Sequence, residues 1–204
     1  MRYIRSLYDW VLTWSEKPGG PSALGIMSLA EASFFPIPPD VLLIPLSIGN
    51  RNKAMWFALI CSISSILGAI IGYAIGHYIW WSESDEFTNF AQLFFNHIPG
   101  FTPIAFSEIQ SLYERWNFWI IFTAGFTPIP FKLFTISSGA FKINFLAFLI
   151  ASTISRSARF FLVSGLIKKF GEPIQDFINS YFNLLAILFT VLLFLGFLVL
   201  KYIL

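Results

Sequence analysis

The stretch Glu31 to Pro45, EASFFPIPPDVLLIP, constrains the fold of this chain more than any other. It lies in apolar sequence, yet it holds two carboxylates, Glu31 and Asp40, and four prolines. Pro36, Pro38, Pro39 and Pro45 lack the amide N–H and clash with the preceding turn, so together they cannot lie inside one continuous helix. The apolar flanks, Ala23 to Ala30 and Val41 to Gly49, are about ten residues each, half of what a bilayer span needs. Two short arms around a charged, proline-broken tip predict a re-entrant hairpin over 22–49. Irregular backbone at membrane depth survives only where protein buries it or where it lines a wet cavity. The tip is therefore a candidate site.

Composition supports a membrane setting. Of 204 residues, 56% are hydrophobic and only 12% charged, about half the charged share of a soluble domain. The mean hydropathy is +0.71. An integral membrane protein of one domain is expected, with roughly five to seven embedded segments. The net charge of +2 rests on scattered basic residues, so no nucleic-acid partner is expected. The single cysteine, Cys61, lies in an apolar run and reads as packing. Residues Met1 to Lys17 lack the continuous apolar core of a signal peptide.

Along the chain, residues 1–17 read as an amphipathic helix, with Tyr3, Leu7, Trp10, Val11 and Trp14 on one stripe. It suits the membrane interface, or packing on the protein's own surface. After the first hairpin, Ala54 to Trp81 is a full span (54–81). Gly68, Gly72 and Gly76 recur on one of its faces, which fits close helix packing. The section 82–116 is polar and acidic: Glu83, Asp85, Glu86, Glu108 and Glu114 face one base, Arg115. Stripes at Phe87, Phe90, Ala91, Phe94 and Phe95, and at Phe106, Ile109, Tyr113 and Trp116, predict two short helices. They would lie against the membrane or cap the bundle. His97-Ile98-Pro99-Gly100 separates them. A second hairpin follows over 117–141: the arm Phe118 to Phe126, the break Thr127-Pro128-Ile129-Pro130, and the arm Phe131 to Ala140, with Lys132 at the tip and Gly139 near the exit. A second span, 144–167, carries Arg156 and Arg159, and a third occupies 184–204.

Each half thus reads as an amphipathic lead, a broken hairpin and a full span. Matched interrupted segments in two halves point to a transporter's binding site. If neither hairpin crosses, Arg2, Arg5, Lys17, Arg51, Lys53, Lys168 and Lys169 share one side, and Arg115, Lys142 and Lys201 the other. The positive-inside rule makes the first side, with the N-terminus, cytoplasmic. The hairpins then enter from opposite faces, and their tips meet near the midplane.

Glu31, Asp40, Lys132, Arg156 and Arg159 all fall within apolar segments, where an unpaired charge costs about 3 kcal/mol or more. They are expected to pair or to face water. One reading makes them structural ion pairs; the other makes them a polar cavity on a substrate or proton pathway. Arg156 and Arg159 lie three apart and share a helix face. The planar donor fork of arginine suits phosphate. Membrane lipids, including an anionic phosphate headgroup, are the expected partners, and the sequence leaves a homo-oligomer open. No enzyme, metal site or cofactor is expected. His77 and His97 are the only histidines, His77 reads as structural, and no nucleophile–base spacing is recognisable.

Glu31, the tip Phe35-Pro36-Ile37-Pro38-Pro39-Asp40, the run Gly68-x3-Gly72-Tyr73-x2-Gly76, and Phe126-Thr127-Pro128-Ile129-Pro130-x8-Gly139 together resemble the DedA superfamily. It is also called the VTT or SNARE-associated Golgi domain. The likeness is closest to its YqaA-type bacterial branch and runs from about Leu24 to Phe170. The resemblance implies an all-α polytopic membrane protein with two inward-facing re-entrant hairpins, acting in membrane homeostasis. Eukaryotic relatives scramble phospholipids, some bacterial relatives translocate undecaprenyl phosphate or similar carriers, and proton coupling has been proposed. It also implies that the acidic positions Glu31 and Asp40 are functional. The better-known branch has two arginines in its second hairpin. Here Gly125 and the nearby Lys132 stand at those places, and Arg156 and Arg159 on the next helix supply positive charge. The expected function is a lipid transporter, scramblase or flippase of a bacterial inner membrane. The alternatives are a proton-coupled carrier of a small solute, and a membrane scaffold that docks partners through its acidic section.

Overall fold

The computed structural model describes residues 19–35, 37–84, 86–97, 102–127 and 130–171. The expected helix at 1–17, the expected span at 184–204, and the residues Pro36, Asp85, Pro99 and Pro128 lie outside the described residues. Among those described, the chain is all-helical, with one isolated bridge between Trp81 and Phe87.

Helix α1, Gly20–Ser33, starts with Pro21 in its first turn, where the missing N–H costs nothing. It stops at Phe34, and the prolines beyond prevent continuation. Helix α2, Asp40–Gly49, starts directly after Pro39. Pro45 lies inside it, so the Val41 carbonyl has no helical donor there. A 3-10 turn, Arg51–Lys53, leads into α3, Ala54–Trp80. Its 27 residues make it about 40 Å long. The short helix α4, Asn89–His97, follows.

Helix α5 is Pro103–Phe126, capped by the Thr102 hydroxyl, which accepts from the Ala105 N–H at 3.2 Å. It corrects the sequence reading. The expected short helix ending near Trp116 and the expected arm Phe118 to Phe126 are one continuous helix of 24 residues. No glycine or proline lies between Pro103 and Gly125, so the change from polar to apolar composition at 116–117 breaks nothing. The stripe Phe106, Ile109, Tyr113, Trp116 is also divided: Phe106 and Tyr113 are buried, while Ile109 and Trp116 are exposed. Helix α6, Phe131–Ala140, follows the break. Lys142 turns the chain with φ 52, and its ammonium lies 3.9 Å above the Trp81 ring. Helix α7, Phe145–Phe170, is capped by Asn144 and closed by Gly171 at φ 63.

Helix α3 is the centre, packed against α1, α6 and α7. Glycine sets how close they come. A Cβ at Gly68 would overlap the Leu29 carbonyl of α1, one at Gly76 the Ile136 carbonyl of α6, and one at Gly139 the Tyr73 carbonyl of α3. At Gly72 the obstacle is the Thr135 hydroxyl. Gly68, Gly72, Gly76 and Gly139 thus all lie where two helices approach closely.

Among the described residues, the interior has two apolar cores. One gathers Leu24, Leu42, Leu43, Leu46, Phe57, Cys61 and Phe160. The other gathers Phe106, Tyr113, Ile121, Phe131, Phe141 and Phe148. At the outer end of the second core, Trp80 stacks on Phe106 at 5.7 Å and Trp81 on Phe87 at 4.6 Å. Helix α4 packs at this end, with the Phe90 and Phe95 rings each 6.2 Å from that of Trp80. Helix α3 runs from the first core to the second and α7 runs back, so the two are antiparallel. Their far ends meet where the Arg51 guanidinium packs against Gly171. Among the described residues, two helices are long and apolar enough to cross a membrane: α3 with its preceding turn, Arg51–Trp80, and α7.

Candidate functional site

Between the two cores lies a layer of polar and charged side chains. Glu31 sits in the last turn of α1, where the helix dipole disfavours an anion. Two donors offset this. The Arg156 guanidinium donates through Nη2 to Glu31 Oε2 at 2.6 Å. The N–H of Phe131, first residue of α6, donates to Oε1 at 3.2 Å, so Glu31 caps the positive end of a neighbouring helix. Arg156 also donates through Nε to the Ser65 hydroxyl at 2.8 Å. The rings of Phe160 and Phe131 lie 4.6 and 5.0 Å from its Cζ, within cation–π range. The side chains are 2% and 6% exposed for Arg156 and Glu31.

Asp40 opens α2, where its charge faces the favourable end of its own helix. Arg159 donates through Nη2 to Asp40 Oδ2 at 2.5 Å, and through Nη1 to the Thr127 carbonyl at the end of α5. One arginine thus holds both chain breaks. This pair is more open: the Arg159 and Asp40 side chains are 13% and 17% exposed. Lys132, in the first turn of α6, donates to the Phe34 carbonyl at 3.2 Å, the end of α1. Its described partner is a carbonyl, not a carboxylate. The Thr135 hydroxyl adds a buried bond to the Ala32 carbonyl at 2.9 Å.

All five charged residues that the sequence singles out, Glu31, Asp40, Lys132, Arg156 and Arg159, therefore meet in one layer. Arg156 and Arg159 share a face of α7 and serve different carboxylates. Pro38, Pro39 and Pro130 border the two breaks, while Pro36 and Pro128 lie outside the described residues. Gly125 lies against Ser155 of α7, with no room for a side chain. Sequence reasoning missed Ser65 and Thr135. Ser65 was within reach, since 65, 68, 72 and 76 fall on one helical face; Thr135 carries no comparable signal. The layer is mid-height on both long helices: Ser65 is twelfth of the 27 residues of α3, and Arg156 twelfth of the 26 of α7. Among the described residues, no group of histidines, cysteines or carboxylates is placed to hold a metal ion.

Such a layer can do two things chemically. It locks the broken pairs to α3 and α7 through charge-assisted bonds. It also offers cations at the breaks, where backbone and side chain are partly open.

The chain is 35% identical over 201 residues to an uncharacterized protein of Haemophilus influenzae, covering 98% of this chain and 100% of that protein. It is 34% identical over 183 residues to an uncharacterized protein of Histophilus somni, covering 88% and 91% of the two chains. No family model and no solved structure matches.

Proposed function

We propose, from its charged layer, that this chain, which belongs to one family with these Haemophilus influenzae and Histophilus somni proteins, is a polytopic membrane protein of the DedA type that moves a phospholipid or polyprenyl-phosphate lipid between leaflets. In this reading the two helix–break–helix pairs are re-entrant hairpins of an inverted repeat. The pair α1–α2 enters from the end that carries Arg51, Lys53, Lys168 and Lys169, and α5–α6 from the end that carries Trp81 and Lys142. The basic end is cytoplasmic in a bacterial inner membrane.

The observation that carries the reading is the charged layer itself. Five charged groups meet at the chain breaks, halfway along two apolar helices, with three cations against two anions. Burying them is costly, and the one-cation excess suits an anionic headgroup. The outer surface supports a lipid setting. Trp56, Ile63, Leu67, Ile71 and Tyr78 form an exposed apolar stripe on α3, and Leu146, Ile150, Ile154, Leu162 and Leu166 are exposed in a band that winds along α7. Each extends over about 30 Å, the thickness of a bilayer core. Headgroups would pass along the charged layer while acyl tails stay in lipid.

Reconstitution into liposomes holding fluorescent phospholipid, or labelled polyprenyl phosphate, tests this. At least one lipid should change leaflet faster than in protein-free vesicles. If folded protein accelerates neither, the lipid-transport reading fails.

A further inference from the structure

Resting on the reading of this layer as a path for phosphate headgroups, we propose that Asp40 is a displaceable counter-ion: an incoming phosphate oxyanion replaces it on Arg159, with Lys132 as second cation, while Glu31–Arg156 stays closed. The two ion pairs are not equivalent. Glu31–Arg156 is nearly sealed and held on several sides: Glu31 also by the Phe131 N–H, Arg156 also by Ser65 and by two aromatic rings. Removing either partner leaves a buried charge without an opposite charge bonded to it.

Asp40–Arg159 differs on three counts. Both side chains are partly open. Asp40 released from Arg159 remains at the N-terminus of α2, where backbone N–H groups and the helix dipole still favour its charge. Arg159 released from Asp40 keeps its bond to the Thr127 carbonyl, so the guanidinium stays in place with one edge free. That edge matches two oxygens of a phosphate. Lys132, held only by the Phe34 carbonyl among the described residues, supplies the charge that Asp40 alone would leave unbalanced. The resting pair then works as an internal competitor: it keeps Arg159 oriented and solvated by a carboxylate until a stronger, doubly bonding anion arrives.

The test uses the full chain in zwitterionic nanodiscs, titrated with inorganic phosphate and with short-chain phosphatidic acid. Removing a competitor raises the competent fraction, so Asp40→Asn should bind at least about threefold more tightly than wild type. Arg159→Gln should bind at least about tenfold more weakly, and the double variant should match Arg159→Gln. Unchanged or weaker binding by folded Asp40→Asn overturns the proposal. Should that variant fail to fold, Lys132→Gln, which touches neither ion pair, decides: weaker binding supports the proposal and unchanged binding overturns it. Tightening toward phosphatidic acid assigns the site to a lipid; tightening toward inorganic phosphate alone assigns it to the free anion and still supports exchange. Lipid movement is measured on the same variants. Movement with unaltered Asp40→Asn affinity rejects exchange alone, whereas tighter binding without movement keeps exchange and rejects transport.

Discussion

At the scale of single residues, Glu31 and Arg156 show why a carboxylate in an apolar helix needs several partners. The pair is buried between two apolar cores, so its attraction must offset the desolvation of two ions. Removing one partner is then worse than removing both. Arg156→Met alone should cost about 3–5 kcal/mol of stability, whereas Glu31→Gln with Arg156→Met should recover much of that loss. Thermal unfolding in detergent compares the two; equal destabilisation would contradict a mutually dependent pair. Ser65→Ala leaves Arg156 Nε without its acceptor and should cost less, about 1–3 kcal/mol. That these charges pair was legible in the sequence, because lone charges in apolar segments are expensive. Which arginine meets which carboxylate was not. Arg156 and Arg159 share a face, and only the docking of α7 against α1 and α2 assigns Glu31 to one and Asp40 to the other.

At the scale of elements, prolines and glycines proved more readable than composition. The breaks after Ser33 and Phe126 stand where prolines end helices. The boundary expected at 116–117 rested on a change of polarity, which does not interrupt backbone hydrogen bonds, and α5 runs through it. Pro45, by contrast, is tolerated inside α2. The glycines of α3 let carbonyls of α1 and α6 come closer than any side chain allows. Gly76→Ala or Gly139→Ala should therefore push α3 and α6 apart and cost about 1–3 kcal/mol by overpacking. Gly49→Ala, with nothing within 4 Å of the new methyl, is the control and should leave the unfolding temperature nearly unchanged. If all three variants unfold together, close approach at α3–α6 contributes nothing specific.

At the scale of the whole molecule, the arrangement is two apolar cores with a charged layer between them. The sequence pattern anticipated two broken helix pairs that reach the same layer. It could not show that Leu24, Leu42 and Phe57 close one end while Phe106, Phe141 and Phe148 close the other, because those contacts join residues far apart in the chain. Membrane depth tests this arrangement most directly. Nitroxide labels on single cysteines at Trp56, Ile63, Leu67, Ile71 and Tyr78 sample the exposed stripe of α3, and one at Leu133 samples α6 beside its break. The native Cys61 is fully buried and stays unlabelled. In liposomes, oxygen accessibility should peak at Ile63 and Leu67, level with Ser65, and fall toward Trp56 and Tyr78. Leu133 should report the same depth as that peak. A label at Leu133 that reports water or headgroup depth, while Ile63 and Leu67 report the bilayer centre, would contradict a charged layer at the membrane midplane.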